Sequence, residues 1–269
     1  MTKYFKAGSL WAGLLFTACI SHAQELFVFS EPASNMPAKS MGVRLTSNIM
    51  TQRMTGTPDY QLLPEVMLGV NKKLMLHGEG YVSNSNGTTR VEGGGVYAKY
   101  RFYTTDNMYR HFRLAAFGRA GSSGVSRVKE EIETNGLQKG YELGFIATQL
   151  LHKQAISASV SFEQVVGNSR QTGFPGEAMN YSLSTGRLLY PSSYTHYGQL
   201  NFNLMVELLG QHSLNNNKSF LDIAPAIQFI INSQTRIDVG YRQQLYSTLS
   251  RYSANSFLIR FEHTLFNVL

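Results

Sequence analysis

The 269-residue chain contains one cysteine and one tryptophan, and only 15% of its residues are charged. After residue 20 no stretch approaches the roughly 18 uninterrupted apolar residues that a membrane helix requires, which excludes an α-helical membrane protein. The cysteine, Cys19, lies in a segment that reads as a leader, as does Trp11. If cleavage follows Ala23, the mature chain has no disulfide, no thiol nucleophile and no thiolate metal ligand, and its stability rests on backbone pairing and packing. Runs of consecutive Lys and Arg with interleaved aromatics are also missing, so no nucleic acid is expected as a partner.

What is present begins with an export signal. Lys3 and Lys6 precede an apolar stretch from Ala7 to Ile20, and Ser21-His22-Ala23 places small residues where a signal peptidase reads them. Residues 1–23 are therefore expected to be a signal peptide. Phe16-Thr17-Ala18-Cys19 is an imperfect lipoprotein box, and the site after Ala23 fits better. Loss of the leader, which carries two lysines and no acid, lowers the formal charge from +7 to +5. Residues 24–40 follow as an extended periplasmic lead-in, because Pro32 and Pro37 forbid a helix interior and argue against a paired strand. Such a segment either enters a lumen as a plug or gate, or lies in the periplasm.

From residue 41 to 269 the texture is alternation. A mean hydropathy of -0.18 beside 43% hydrophobic residues suits a two-faced wall rather than a solid core. In one segment Leu200, Phe202, Leu204, Val206 and Leu208 share a parity, with Gln199, Asn201, Asn203 and Glu207 on the other. Period two marks a strand with one apolar and one polar face. Twelve such segments are expected, at 41–49, 62–70, 73–82, 91–103, 111–121, 139–150, 154–166, 178–189, 195–209, 219–231, 235–246 and 255–266. The fold class is all-β, a transmembrane antiparallel up-and-down barrel of about twelve strands. The connections at 71–72, 104–110, 151–153, 190–194 and 232–234 are short and read as periplasmic. Those at 50–61, 83–90, 122–138, 167–177, 210–218 and 247–254 are longer and read as external. Phe102, Tyr103, Tyr109, Tyr190, Tyr194 and Tyr197 gather at the expected periplasmic ends, where interfacial aromatics belong. A periplasmic β-sandwich would also alternate, but its strands are usually about half as long.

Assigning the polar parity to the interior lines the lumen with Arg44, Lys99, Arg101, Arg113, Arg119, Arg236, Arg242 and Arg260. Facing them are Glu65, Glu79, Glu92, Glu142, Glu163, Glu207, Asp222, Asp238 and Glu262. Two readings stand: a narrow charged pore, or an interior filled by cross-strand ion pairs. No catalytic residue is assigned, because His212-Ser213 and Ser192-Ser193 with His196 lie in or beside connections, where ordinary turn chemistry explains the serines. His77 and Glu79 share a face and Met50 and Met54 share a loop, but two residues do not make a metal site, and no cofactor is expected.

The stretches Phe29-Ser30-Glu31-Pro32-Ala33-Ser34-Asn35-Met36-Pro37-Ala38-Lys39-Ser40 and Ala178-Met179-Asn180-Tyr181-Ser182-Leu183-Ser184-Thr185-Gly186-Arg187-Leu188-Leu189, within the whole alternating pattern, resemble outer-membrane proteins of Bacteroidetes. More loosely, the chain resembles the barrel family labelled as the MetA-type transporter of the phenol meta-cleavage pathway. The resemblance spans the mature chain, and its motifs are not chemical ones. It implies an outer-membrane barrel of a Gram-negative cell that imports hydrophobic or aromatic compounds, and it carries over no catalytic or binding residue. The leading expectation is a passive channel or transporter for small molecules, not an enzyme. The alternatives are a structural barrel that binds partners through its external loops, chiefly 122–138, and a membrane-embedded hydrolase. Expected partners are outer-membrane lipid and lipopolysaccharide, the barrel-assembly machinery and a small-molecule solute.

Overall fold

Alternation over segments of ten or more residues has one stable outcome in a bilayer: the strands must pair edge to edge until no edge is left. The computed structural model, which describes residues 27–52, 58–84, 87–108, 110–125, 129–167, 172–192 and 198–268, shows that outcome. Twelve strands follow one another: β1 (Ser40–Gln52), β2 (Pro58–Gly69), β3 (Leu74–Ser83), β4 (Arg90–Asn107), β5 (Arg110–Ser123), β6 (Gly140–Leu151), β7 (Gln154–Val165), β8 (Glu177–Tyr190), β9 (Asn201–Ser213), β10 (Ser219–Ile231), β11 (Thr235–Ser247) and β12 (Ser253–Leu265). Each pairs antiparallel with its sequence neighbours, and β1 pairs with β12 to close the barrel. Among the described residues no helix is long and apolar enough to cross a membrane. The expected leader at 1–23, with Cys19, lies outside the described residues, as do Met54, Tyr109, Ser193, Tyr194, His196 and Tyr197.

The outward parity carries the lipid-facing surface. Val43, Leu45, Val96, Leu143, Phe145, Ile156, Leu183, Leu204, Ile259 and Phe261 are all exposed large hydrophobics, as are Phe102, Tyr103 and Tyr190 at the ends of β4 and β8. The tight turns have the chemistry that hairpins demand. Asn232 and Ser233 both adopt positive φ between β10 and β11, and His152 does so between β6 and β7, which matches the twist of the flanking strands.

Two expectations need correction. The strand expected at 195–209 runs instead from Asn201 to Ser213. The β8–β9 connection is therefore the long one, and the external β9–β10 turn the short one. The alternation of tight and long connections thus fails at this hairpin, because Gly210 to Ser213 keep pairing with Tyr181 to Ala178. Gly210 makes that continuation possible: a Cβ there would meet the Tyr181 ring at 2.3 Å.

The second correction concerns the interior, expected to be polar. Alongside its charges the inner face carries Met67, Met75, Met205, Ala226 and Leu258, all buried. Their partners belong to the lead-in segment, residues 27–39, which lies within the barrel. Phe27 and Val28 pack with Ala155, Met205, Ala226 and Leu258, Met36 packs with Met67, Met75 and Tyr97, and Ala33 packs with Ala115 and Ile146. Gly240 leaves room for the Phe29 ring, which a Cβ would meet at 2.6 Å.

The lipid-facing assignment is open to a direct test. Phe145 is 61% exposed near the middle of β6, so Phe145→Arg should cost about 2–4 kcal/mol, as arginine does near a bilayer midplane. Denaturant unfolding in lipid vesicles, followed by heat-modifiable electrophoretic mobility, measures this. A shift below about 0.5 kcal/mol would place that face elsewhere.

Candidate functional site: a chamber between plug and loop

The inner parity brings most of the sequence-predicted charges together by register. Arg44 lies opposite both Glu65 and Glu262, Arg236 opposite Glu262, Asp238 opposite Arg260, and Arg119 opposite Glu142. These pairings place Arg44 at 3.3 Å from Glu65 and 2.9 Å from Glu262. Arg119 reaches Glu79 at 3.4 Å and Glu142 at 3.3 Å, while Arg236 reaches Asp238 at 3.0 Å and Glu262 at 3.2 Å. Arg242 contacts Asp222 at 2.6 Å. Two predicted residues sit lower in the wall: Arg101 donates to the Lys72 carbonyl in the β2–β3 turn, and Arg113 reaches Ser34 Oγ at 2.8 Å and Asp106 at 3.4 Å.

The lead-in segment is fastened to this wall by charge-assisted bonds, which are about twice as strong as neutral ones. Glu207, fully buried on β9, accepts the backbone N–H groups of Val28, Phe29 and Ser30 at 2.8 to 2.9 Å, and the Ser30 hydroxyl at 2.6 Å. Without those donors a buried carboxylate would be strongly destabilising. Glu31 binds Lys99 at 3.1 Å and Arg44 at 3.1 Å, and Lys99 also donates to the Pro32 carbonyl at 2.8 Å. Burial alone would raise the Glu31 carboxyl, but Lys99, Arg44 and His77 outweigh it and hold the group well below the usual carboxylate range. The Ala33 N–H donates to Thr148. Of the two placements open to this segment, the structure shows the lumen: it is a plug across the barrel.

The connection between β5 and β6 closes the other side. Expected as an external loop for partner contact, it turns inward over residues 131–138, where Glu131, Ile132, Thr134, Leu137 and Gln138 are buried. Arg251 holds Glu131 at 3.0 Å and Asp222 at 2.7 Å, with its guanidinium 3.8 Å from the Phe220 ring centre. Gln211 exchanges two hydrogen bonds with the backbone of Ile132, and Glu163 accepts from the N–H and hydroxyl of Thr134. Sequence reasoning missed Glu131, Glu133 and Arg251, because all three lie in segments read as loops.

Between plug and loop lies a cavity of about 260 Å³. Its walls present six carboxylates (Glu31, Glu65, Glu131, Glu133, Glu142 and Glu163) and four guanidinium groups (Arg44, Arg119, Arg242 and Arg260). Phe29, Tyr97 and Phe117 supply an aromatic side. Acids outnumber guanidinium groups, but burial raises the proton affinity of Glu133 to near neutrality, so the chamber is a mixed polar space close to charge balance.

Of the two serine–histidine groups singled out in the sequence, only His212-Ser213 lies wholly within the described residues. His212 and Ser213 are adjacent on β9 and so point to opposite faces; Ser213 is buried inside, while His212 Nδ1 meets Ser219 Oγ at 2.8 Å.

A closed antiparallel barrel of twelve strands, with a lipid-facing apolar exterior and a charged, occupied lumen, is a transmembrane barrel of the outer-membrane type. Solved structures agree on the fold. The NanC porin matches with 11% identity and a TM-score of 0.50, over 84% of this chain and 100% of that one. An outer-membrane channel from Pseudomonas putida F1 matches with 8% identity and a TM-score of 0.58, over 89% and 100%. No protein-family model matches the sequence. No curated protein matches it either.

The inward loop should respond to pH. Burial pushes the Glu133 carboxyl up to about 7; Glu131 and Glu142 add to the shift, and Arg242 and Arg119 oppose it. Because the raised value means the inward loop binds the protonated acid, the contribution is complete below the ordinary value of 4.5 and lost as pH rises through about 7. Hydrogen exchange of residues 130–138, corrected for intrinsic rates, should quicken between pH 6 and pH 8. Glu133→Gln should flatten that profile; a profile unchanged by the substitution would assign the response to another group.

Proposed function

We propose that the chain is an outer-membrane channel for small solutes, closed in this conformation by the plug at residues 27–39 and by the inward loop. The observation that carries the reading is the chamber itself, a polar space on the axis of a closed barrel and bounded by two segments that are not part of the wall. A barrel needing no passage could fill its lumen with wall side chains alone. The interior charges, from Arg44 to Glu262, then act as selectivity determinants, and their mixture of signs makes small polar solutes the preferred passengers. Outer-membrane lipid, with lipopolysaccharide outside, would meet the apolar exterior, and the barrel-assembly machinery would insert it.

The hydrophobic or aromatic cargo implied by the resemblance to the phenol meta-pathway family has one point of support, the wall of Phe29, Tyr97 and Phe117. Beside the carboxylates, that wall suits a one-ring solute bearing hydroxyl or amino groups. At about 260 Å³ the chamber is smaller than the roughly 300–1,000 Å³ of pockets for larger ligands. Of the loop at 122–138, on which the alternative of a barrel working through its external loops chiefly rested, residues 131–138 face inward.

Planar-bilayer recording of the refolded mature protein tests the proposal. The intact barrel should conduct little. Glu207→Gln, which weakens the plug's main acceptor, should raise the frequency of openings several-fold, and deletion of residues 27–38, recorded at pH 8 where the loop is loosened, should give a steady conductance. If the deletion variant inserts as a heat-modifiable barrel and still passes no current, the channel reading fails.

A further inference from the structure

The register of β2 and β3 places two acids directly opposite each other, Glu65 and Glu79, both on the inner face. Like charges in that relation repel unless a cation intervenes. His77 lies on the same face of β3, two residues before Glu79, and is 96% buried, with a relative exposure of 4%. Its Nδ1 stands 3.5 Å from Glu65 Oε2, and its Nε2 has no hydrogen-bond partner. One donor atom from each of Glu65, His77 and Glu79 falls within 4.8 Å of the others.

The arginines nearby do not account for this cluster. Arg44 is divided among Glu31, Glu65 and Glu262, and Arg119 between Glu79 and Glu142. Their contacts with the two acids of the cluster, 3.3 Å and 3.4 Å, are long beside the roughly 2.7–2.9 Å of a tight charge-assisted bond. Five carboxylates thus draw chiefly on two guanidinium groups, with Arg260 also acting on Glu65, Lys99 assisting Glu31 and Arg236 assisting Glu262. The spacing of 3.5 Å between His77 and Glu65 is wide for a hydrogen bond and close to what two ligands of one ion keep.

We propose that Glu65, His77 and Glu79 form a binding site for a divalent transition-metal cation inside the barrel wall. One imidazole and two carboxylates are a borderline donor set, suited to zinc, manganese, iron or cobalt rather than to calcium or magnesium, which take oxygen ligands. With metal–ligand distances of about 2.0–2.2 Å, the three donors need shifts of about 1 Å or less to converge. Tyr81 donates to Glu79 at 3.1 Å and orients that carboxylate, a supporting contact of the kind that tunes metal sites. Glu65 also lines the chamber, so an ion can arrive through it and the remaining coordination positions face its contents. The sequence showed only His77 and Glu79; the third ligand comes from the neighbouring strand and needs the register.

Cobalt(II) chloride added to the refolded, untagged mature barrel is the probe, read by its visible absorption and by titration calorimetry. One equivalent should bind. His77→Gln should abolish the absorption band, and Glu79→Gln should weaken binding about tenfold or more, with heat-modifiable mobility showing that each variant is folded. The other histidines contribute equally to all samples, so the difference reports the site. A cobalt titration identical in the wild type and a folded His77→Gln or Glu79→Gln variant overturns the proposal. So does binding of calcium chloride as tight as that of cobalt and indifferent to His77, which would mean that the imidazole is not a ligand.

Discussion

Closure of the backbone ladder between β1 and β12 is the constraint on which everything else here depends. Lipid offers no partner to a free N–H or C=O, so the sheet must end on itself. Once it does, alternate side chains have only two places to go, and a slip of one residue in any pair would exchange them. The register found, with Val43, Leu45 and Ile49 outward and Arg44 and Thr46 inward against Glu262 and Arg260 of β12, is the one that keeps charge out of lipid. Closure therefore sets the composition of the lumen as well as the shape of the wall.

A lumen built this way inherits a problem of its own. Charges turned inward are removed from bulk water, and each must be paired or hydrogen-bonded. Cross-strand register solves part of this by placing Arg44, Arg119 and Arg236 opposite acids, but it also sets Glu142 opposite Glu163 and Glu65 opposite Glu79. Segments that enter the barrel supply much of what is missing. Backbone N–H groups of the plug satisfy Glu207, Thr134 of the loop satisfies one oxygen of Glu163, and Arg251 satisfies Asp222. Plug and loop are in this sense the completion of the wall's electrostatics.

How much of this could be read in advance follows from which interactions are local. Strand number and face come from period two, a property of a few neighbouring residues, and so twelve strands and most inward charges were legible. The β8–β9 hairpin was misread because Leu200 shares the apolar parity of Phe202 to Leu208, although β9 begins only at Asn201. Pro32 and Pro37 marked an extended lead-in, but its position needed a different signal: apolar residues at inward positions, Met67, Met75, Met205 and Leu258, which have no reason to face water. They announce a segment that packs on them. The inward turn of residues 131–138 had no such sign, since Glu131 and Glu133 look like ordinary loop acids until Arg251 and Arg242 are brought from across the barrel.

The two closures of the chamber are held by different physics. The plug buries Phe27, Val28, Ala33 and Met36 against apolar wall residues, and removing one large apolar side chain from such contact costs about 1.5–3 kcal/mol. Its polar anchors are Glu207, which takes three backbone N–H groups, and Glu31, held between Lys99 and Arg44. The loop buries fewer large apolar groups, chiefly Ile132 and Leu137, and depends on acids crowded together, one of them with its affinity for protons raised to near neutrality. It is also tied at Ser250, on another external connection that can move with it. The loop is therefore the more weakly held of the two closures, and the plug the more firmly packed.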